Sequence, residues 1–148
     1  MNYTKEVSNK LNDLLTKNYD AEAGYKLAKD KVESNRLQDF FEKQQQERYN
    51  FGHELKNEIR SYGEEVDKGT SVKGDAHRTW MNIKSTFTYD NEEAILEEAI
   101  RGEKSAVEEY NEILSETTLP PSTKSLLTKH RDNIQGALNK VNAMEEIA

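Results

Sequence analysis

The sequence predicts an all-α chain in which four long amphipathic helices pack as one bundle, and three observations predict it. Apolar residues recur at steps of three and four along most of the chain. The periodic stretches are interrupted by turn and cap signals, including one Pro-Pro pair. Charged residues (33%) nearly equal hydrophobic ones (34%), a balance that bundled helices tolerate because each needs only a narrow inward stripe. A mean hydropathy of −1.01 would also suit a disordered chain, but helical periodicity argues against disorder. At 148 residues a single domain, 1–148, is expected.

The first helix is expected from about Thr4 to about Val32, with Val7, Leu11, Leu14, Leu15, Asn18, Glu22, Tyr25 and Ala28 inward. Ser34 and Asn35 break it, and Asn35 with Gln38 has the form of a capping box opening the second helix. That helix should reach Tyr62 through Leu37, Phe40, Phe41, Gln44, Glu47, Phe51, Leu55 and Ile59, and Gly63 suits its C-terminal stop. From Gly63 to Gly74 periodicity lapses. A short helix from Asp75 is expected next, with Ala76, Trp80, Ile83 and Phe87 on one face.

Asp90 with Glu93 offers another capping box for a third helix running to about Ser115. Its stripe is Ala94, Ile95, Ala99, Gly102, Glu103, Ala106, Tyr110 and Ile113. Leu119-Pro120-Pro121 closes the following turn, and Ser122 or Thr123 is expected to cap the last helix. Leu126, Leu127, His130, Ile134, Ala137, Leu138, Val141 and Met144 then face inward. Two tight helical hairpins joined by a long crossover is the ferritin-like connectivity, in which the second and third helices can run parallel.

Net charge is −7 and the pI about 5.1. Nucleic acid and anionic membranes both require a basic footprint and are not expected as partners. Absence of cysteine excludes disulfides, thiol nucleophiles and thiolate metal sites in this chain. No run approaches ~18 apolar residues and the first residues lack an apolar leader, so a cytoplasmic location is expected.

Three acidic residues interrupt the apolar stripes: Glu22, Glu47 and Glu103. Glu22 and Glu47 each lie about a dozen residues from the turn near Ser34, about 18 Å along their helices, and Glu103 is similarly far from the end of its own. A buried carboxylate must be protonated, paired or bound to a cation. The functional reading is a carboxylate-rich metal site of Glu22, Glu47, Glu103 and His130. Hard oxygens with one imidazole suit iron, manganese or zinc. The structural alternative is that the glutamates meet Lys, Arg or Tyr, or reach solvent at a loosely packed interior, and serve to set helix register. No Glu-x-x-His motif is present, so an intact di-iron pattern is lacking.

Each helix also carries an interior glycine, at Gly24, Gly52, Gly102 and Gly136, which close backbone approach, room for large neighbouring side chains or chance would explain. His53 is expected to face solvent or a partner subunit, and His77 to pack beside Trp80. No phosphate loop, nucleophilic triad or basic aromatic groove occurs, so catalysis is not expected.

Leu11-Asn12-Asp13-Leu14, Asp20-Ala21-Glu22-Ala23-Gly24-Tyr25, Glu47-Arg48 with Phe51, Glu54-Leu55, His77-Arg78-Thr79-Trp80, Arg101-Gly102-Glu103 and Leu119-Pro120-Pro121 together resemble an uncharacterised bacterial family of ferritin-like four-helix-bundle proteins. The resemblance spans nearly the whole chain. It implies a ferritin-like fold and a remnant carboxylate metal site at Glu22, Glu47 and Glu103, with no established reaction. Members often carry histidine where this chain has Leu138, which removes one plausible ligand. The expected function is a non-catalytic binding or stress-associated module that self-associates as a homodimer or larger homo-oligomer. The alternative is the metal-binding bundle.

Overall fold

The computed structural model describes residues 3–66, 92–116 and 118–147. Four α-helices make up the described chain: α1 (Tyr3–Lys31), α2 (Asn35–Ser61), α3 (Glu92–Glu116) and α4 (Pro121–Ile147). The short helix expected from Asp75, with His77 and Trp80, lies outside the described residues, as does Asp90.

Two apolar clusters show how the helices run. Tyr25, Ala28, Phe40 and Phe41 from the α1–α2 turn end pack with Ile95, Leu96 and Ala99 of early α3 and Leu138, Val141 and Met144 of late α4. At the other end Val7, Leu11, Leu14, Leu55 and Ile59 pack with Tyr110 and Ile113 of late α3 and Leu127 of early α4. Thus α1 and α4 run one way while α2 and α3 run the other. Val107 packs against both clusters, making the core continuous. Such apolar burial, worth about 1.5–3 kcal/mol for a full Leu, Ile or Phe side chain, supplies what helix propensity alone cannot.

α1 packs most extensively on α2 and α3 on α4, while α1 also touches α3 and α2 touches α4. Ion pairs lace three of these seams: Lys29–Glu42 across α1–α2, Lys17–Glu109 across α1–α3, and Lys129–Glu54 across α2–α4.

Helix ends depart from expectation by single residues. Ser34, not Asn35, caps α2: it has extended backbone (φ −62°, ψ 124°) and its hydroxyl accepts from Leu37 N. Gln38 turns away from a capping box and donates to Val32 O at 2.8 Å. The Glu92 carboxylate at the start of α3 accepts from Glu33 N and Ser34 N, tying α3 to the α1–α2 turn. Gly63 stops α2 with φ 74°, a conformation that disfavours any side chain. α4 begins at Pro121 itself, so Ser122 and Thr123 lie inside the first turn rather than capping it. Their hydroxyls donate to Glu58 of α2 at 3.0 and 2.6 Å.

The glycine pattern does not share one cause. A Cβ on Gly52 would meet Leu15 Cδ1 at 3.6 Å, ordinary contact, and one on Gly136 would meet nothing within 4 Å. Close approach therefore does not explain Gly136, which is exposed within α4. Gly136→Ala should raise stability by up to about 1 kcal/mol in urea unfolding. An unchanged or lower midpoint would show that the position is constrained by something other than helix backbone entropy.

Candidate polar centre of the four helices

The stripes expected from periodicity are buried almost throughout, with one informative exchange on α2. Glu47 is half-buried and its neighbour Arg48 is 2% exposed. A step from Gln44 to Phe51 can pass through position 47 or 48 with equal fidelity to helical spacing. Packing chooses 48. Glu103 of α3 is fully buried, and the Arg48 guanidinium meets it through Nη2 in an ion pair.

The second guanidinium nitrogen, Nη1, donates to Asn18 Oδ1 of α1 at 2.8 Å. Asn18 then spends both amide hydrogens: Nδ2 donates to Leu14 O at 2.8 Å and to the Tyr110 hydroxyl of α3 at 3.0 Å. Tyr110 Oη lies 3.0 Å from His130 Nδ1 of α4, and His130 Nε2 lies 3.0 Å from Glu54 Oε1 of α2. Lys129 donates to the other Glu54 oxygen at 2.6 Å. Since Asn18 fills an acceptor position of Tyr110, the phenol's own hydrogen goes to Nδ1, and His130 must carry its hydrogen on Nε2 to serve the carboxylate. One directed network therefore runs from buried Glu103 to the surface at Lys129 and takes a residue from every helix.

Electrostatics follow from burial. His130 is fully buried and stacks on Phe51 with ring centroids 3.9 Å apart. Burial lowers its pKa to about 4, with Glu54 only partly opposing. Burial pushes Tyr110 up to about 12. It also raises Glu103, against the pull of Arg48 and the Tyr25 hydroxyl beside it. Burial would lower Arg48, but Glu103, Tyr25 and Tyr110 outweigh it and hold the guanidinium charged.

The four residues expected to share a metal occupy different surroundings. Glu103 is engaged by Arg48. Half-buried Glu47 feels the charges of Arg48, Lys43 and Glu103. Glu22 is also half-buried, and its neighbours are His53, Lys56 and Lys26. His130 is committed to Tyr110 and Glu54. Among the described residues no three His, Cys, Asp or Glu side chains come together in a way that could hold a metal ion. A divalent cation beside Glu103 would sit against a buried guanidinium that already neutralises it, so the residues present do not fit a shared metal centre. His53 is exposed, as expected, with its ring edge-on to Tyr49.

Sequence reasoning named Arg48 and Glu54 only among the residues that carry the family resemblance and gave neither a place in the site. The signal for Arg48 was a basic residue one position from a supposed inward glutamate, at i+4 from Gln44 and i−3 from Phe51. Glu54 lies at i+3 from Phe51 on the flank of the α2 stripe, a weaker signal of the same kind.

Two tests follow. Arg48→Met or Glu103→Leu alone strands the partner's buried charge and should cost about 3–5 kcal/mol, whereas the double variant should recover most of that loss. Additive losses in urea unfolding would show that the two groups do not interact. For His130 the folded chain titrates near 4 and the unfolded chain near 6.5, so between those values the unfolded state binds more protons. Stability is then complete above about pH 6.5 and falls toward pH 4, by at most roughly 3 kcal/mol. His130→Phe should flatten that segment of the pH profile, and a slope unchanged by the substitution would assign it elsewhere.

No helix among the described residues is long and apolar enough to cross a membrane. Comparison with curated proteins gives no match. The model of one family, described as Domain of unknown function (DUF2383), matches residues 6–116, covering α1 to α3 and stopping before α4. By that match over most of its length, the chain belongs to the DUF2383 family.

Proposed function

We propose that this protein is a ferritin-like helical-bundle module that does no chemistry at its centre and works through its outer faces, by self-association and binding. The observation that carries the reading is the Arg48 guanidinium lodged against Glu103. In a carboxylate metal bundle the inward acids are neutralised by cations taken from solution. Here the neutralising charge is built into the chain. The residues linked to it, Asn18, Tyr110, His130 and Glu54, are likewise hydrogen-bonded to one another, as expected of contacts that fix helix register rather than of groups awaiting a substrate. The helix directions support the ferritin-like part, because α2 and α3 run the same way.

The competing reading, a bundle that binds iron, manganese or zinc through Glu22, Glu47, Glu103 and His130, would require Arg48 to leave the core. Elemental analysis of protein purified without chelator and then loaded with each metal distinguishes them. Metal at background in the wild type is the expected outcome. Stoichiometric metal that is lost in Glu22→Ala and Glu103→Ala would overturn the proposal. Light scattering across a concentration series addresses self-association, and a monomer at the highest concentration would remove that part.

A further inference from the structure

The seam between α3 and α4 is open on its outer side, forming a groove of about 650 Å³. Its two rims differ in sign. α3 contributes Glu108 and Glu112, while α4 contributes Lys124 and Arg131, and half-buried Leu114 and Thr128 lie between. Arg131 Nη1 donates across the groove to Asn111 Oδ1 at 3.0 Å, which fixes the relative level of the helices. Since α3 and α4 are antiparallel and Asn111 is level with Arg131, Glu108 and Glu112 lie within about one turn to either side of Arg131. Arg131 also pairs with Asp132 on its own helix, and Lys124 lies further along beyond Glu112.

We propose that this groove is the seat of a second copy of the chain, docked about a two-fold axis parallel to the helices. That operation lays α3 of one copy over α4 of the other without shifting their level. Glu108 and Glu112 of one copy then bracket Arg131 of the other, Lys124 lies beyond Glu112, and the same acidic-on-basic contact repeats on the other side of the axis. A two-fold perpendicular to the helices would instead place acidic rim on acidic rim, so charge selects the parallel axis. The proposal rests on the self-association read above and assigns it a surface. Exposed ion pairs contribute little each and are screened by salt, so the dimer is weak and favoured at low ionic strength.

Charge swapping tests it. Lys124→Glu with Arg131→Glu makes both rims acidic, and Glu108→Lys with Glu112→Lys makes both basic. In sedimentation at low salt each variant alone should dimerise at least ten-fold more weakly than wild type. An equimolar mixture should restore dimer, because in the mixed pair every acidic rim again meets a basic one. Circular dichroism checks folding, and should the α4 variant melt, the α3 variant on exposed Glu108 and Glu112 carries the test by itself. Variants that dimerise as wild type does would overturn the groove assignment while leaving self-association standing. A wild type that stays monomeric at low salt would end both.

Discussion

The constraint on which the structure depends is that Glu103 has no exit. Its helix presents it to the middle of the other three helices' apolar side chains, where a lone carboxylate is too costly to keep. Arg48 answers that cost from α2, and in doing so must itself be satisfied, which draws in Asn18 from α1. Asn18 fixes Tyr110, and Tyr110 fixes His130. Each step is a local requirement for hydrogen-bond partners, and their sum locks four helices at one level. Apolar packing would allow neighbouring helices to slide or rotate with modest loss. A directed polar network does not, because a slip of one residue leaves several buried groups unpaired at once.

That economy bears on function. Among the described residues, the hydrogen-bonded path from Glu103 through Arg48, Asn18, Tyr110 and His130 ends at the surface in the Glu54–Lys129 pair. What remains free to engage anything else is the exterior, where charge is plentiful and unevenly distributed. Along the α3–α4 groove the acidic and basic residues sort onto opposite rims, and the proposed assembly draws on that sorting. The membership in a family known only as a domain of unknown function adds no reaction to this picture.

Much of the fold was legible because helical periodicity is a property of neighbouring residues. Leu37, Phe41, Leu55 and Ile59 on α2, or Leu127, Ile134 and Val141 on α4, announce their face without reference to the rest of the chain, and all are buried. The site was less legible because it depends on contacts between helices. Periodicity could place Glu103 and His130 inside, and both are there. It could not separate Glu47 from Arg48, since both lie within the angular width of one stripe. Nor could it choose, for Glu22, between a metal and the half-buried place beside His53 and Lys56 that was its structural alternative. Ser34 took the cap from Asn35 for a similar reason: sequence marks the turn, and backbone geometry chooses which residue supplies the oxygen.

The central claim is that Arg48 is held inside, charged and bonded on both of its terminal nitrogens. Nitrogen-15 spectroscopy of the arginine side chains reads this directly. One guanidinium is expected to show terminal N–H protons that are individually resolved and slow to exchange with water, and to lose that signature when Glu103 is replaced by Leu. Arginine side chains that all exchange as rapidly as free guanidinium groups would contradict it.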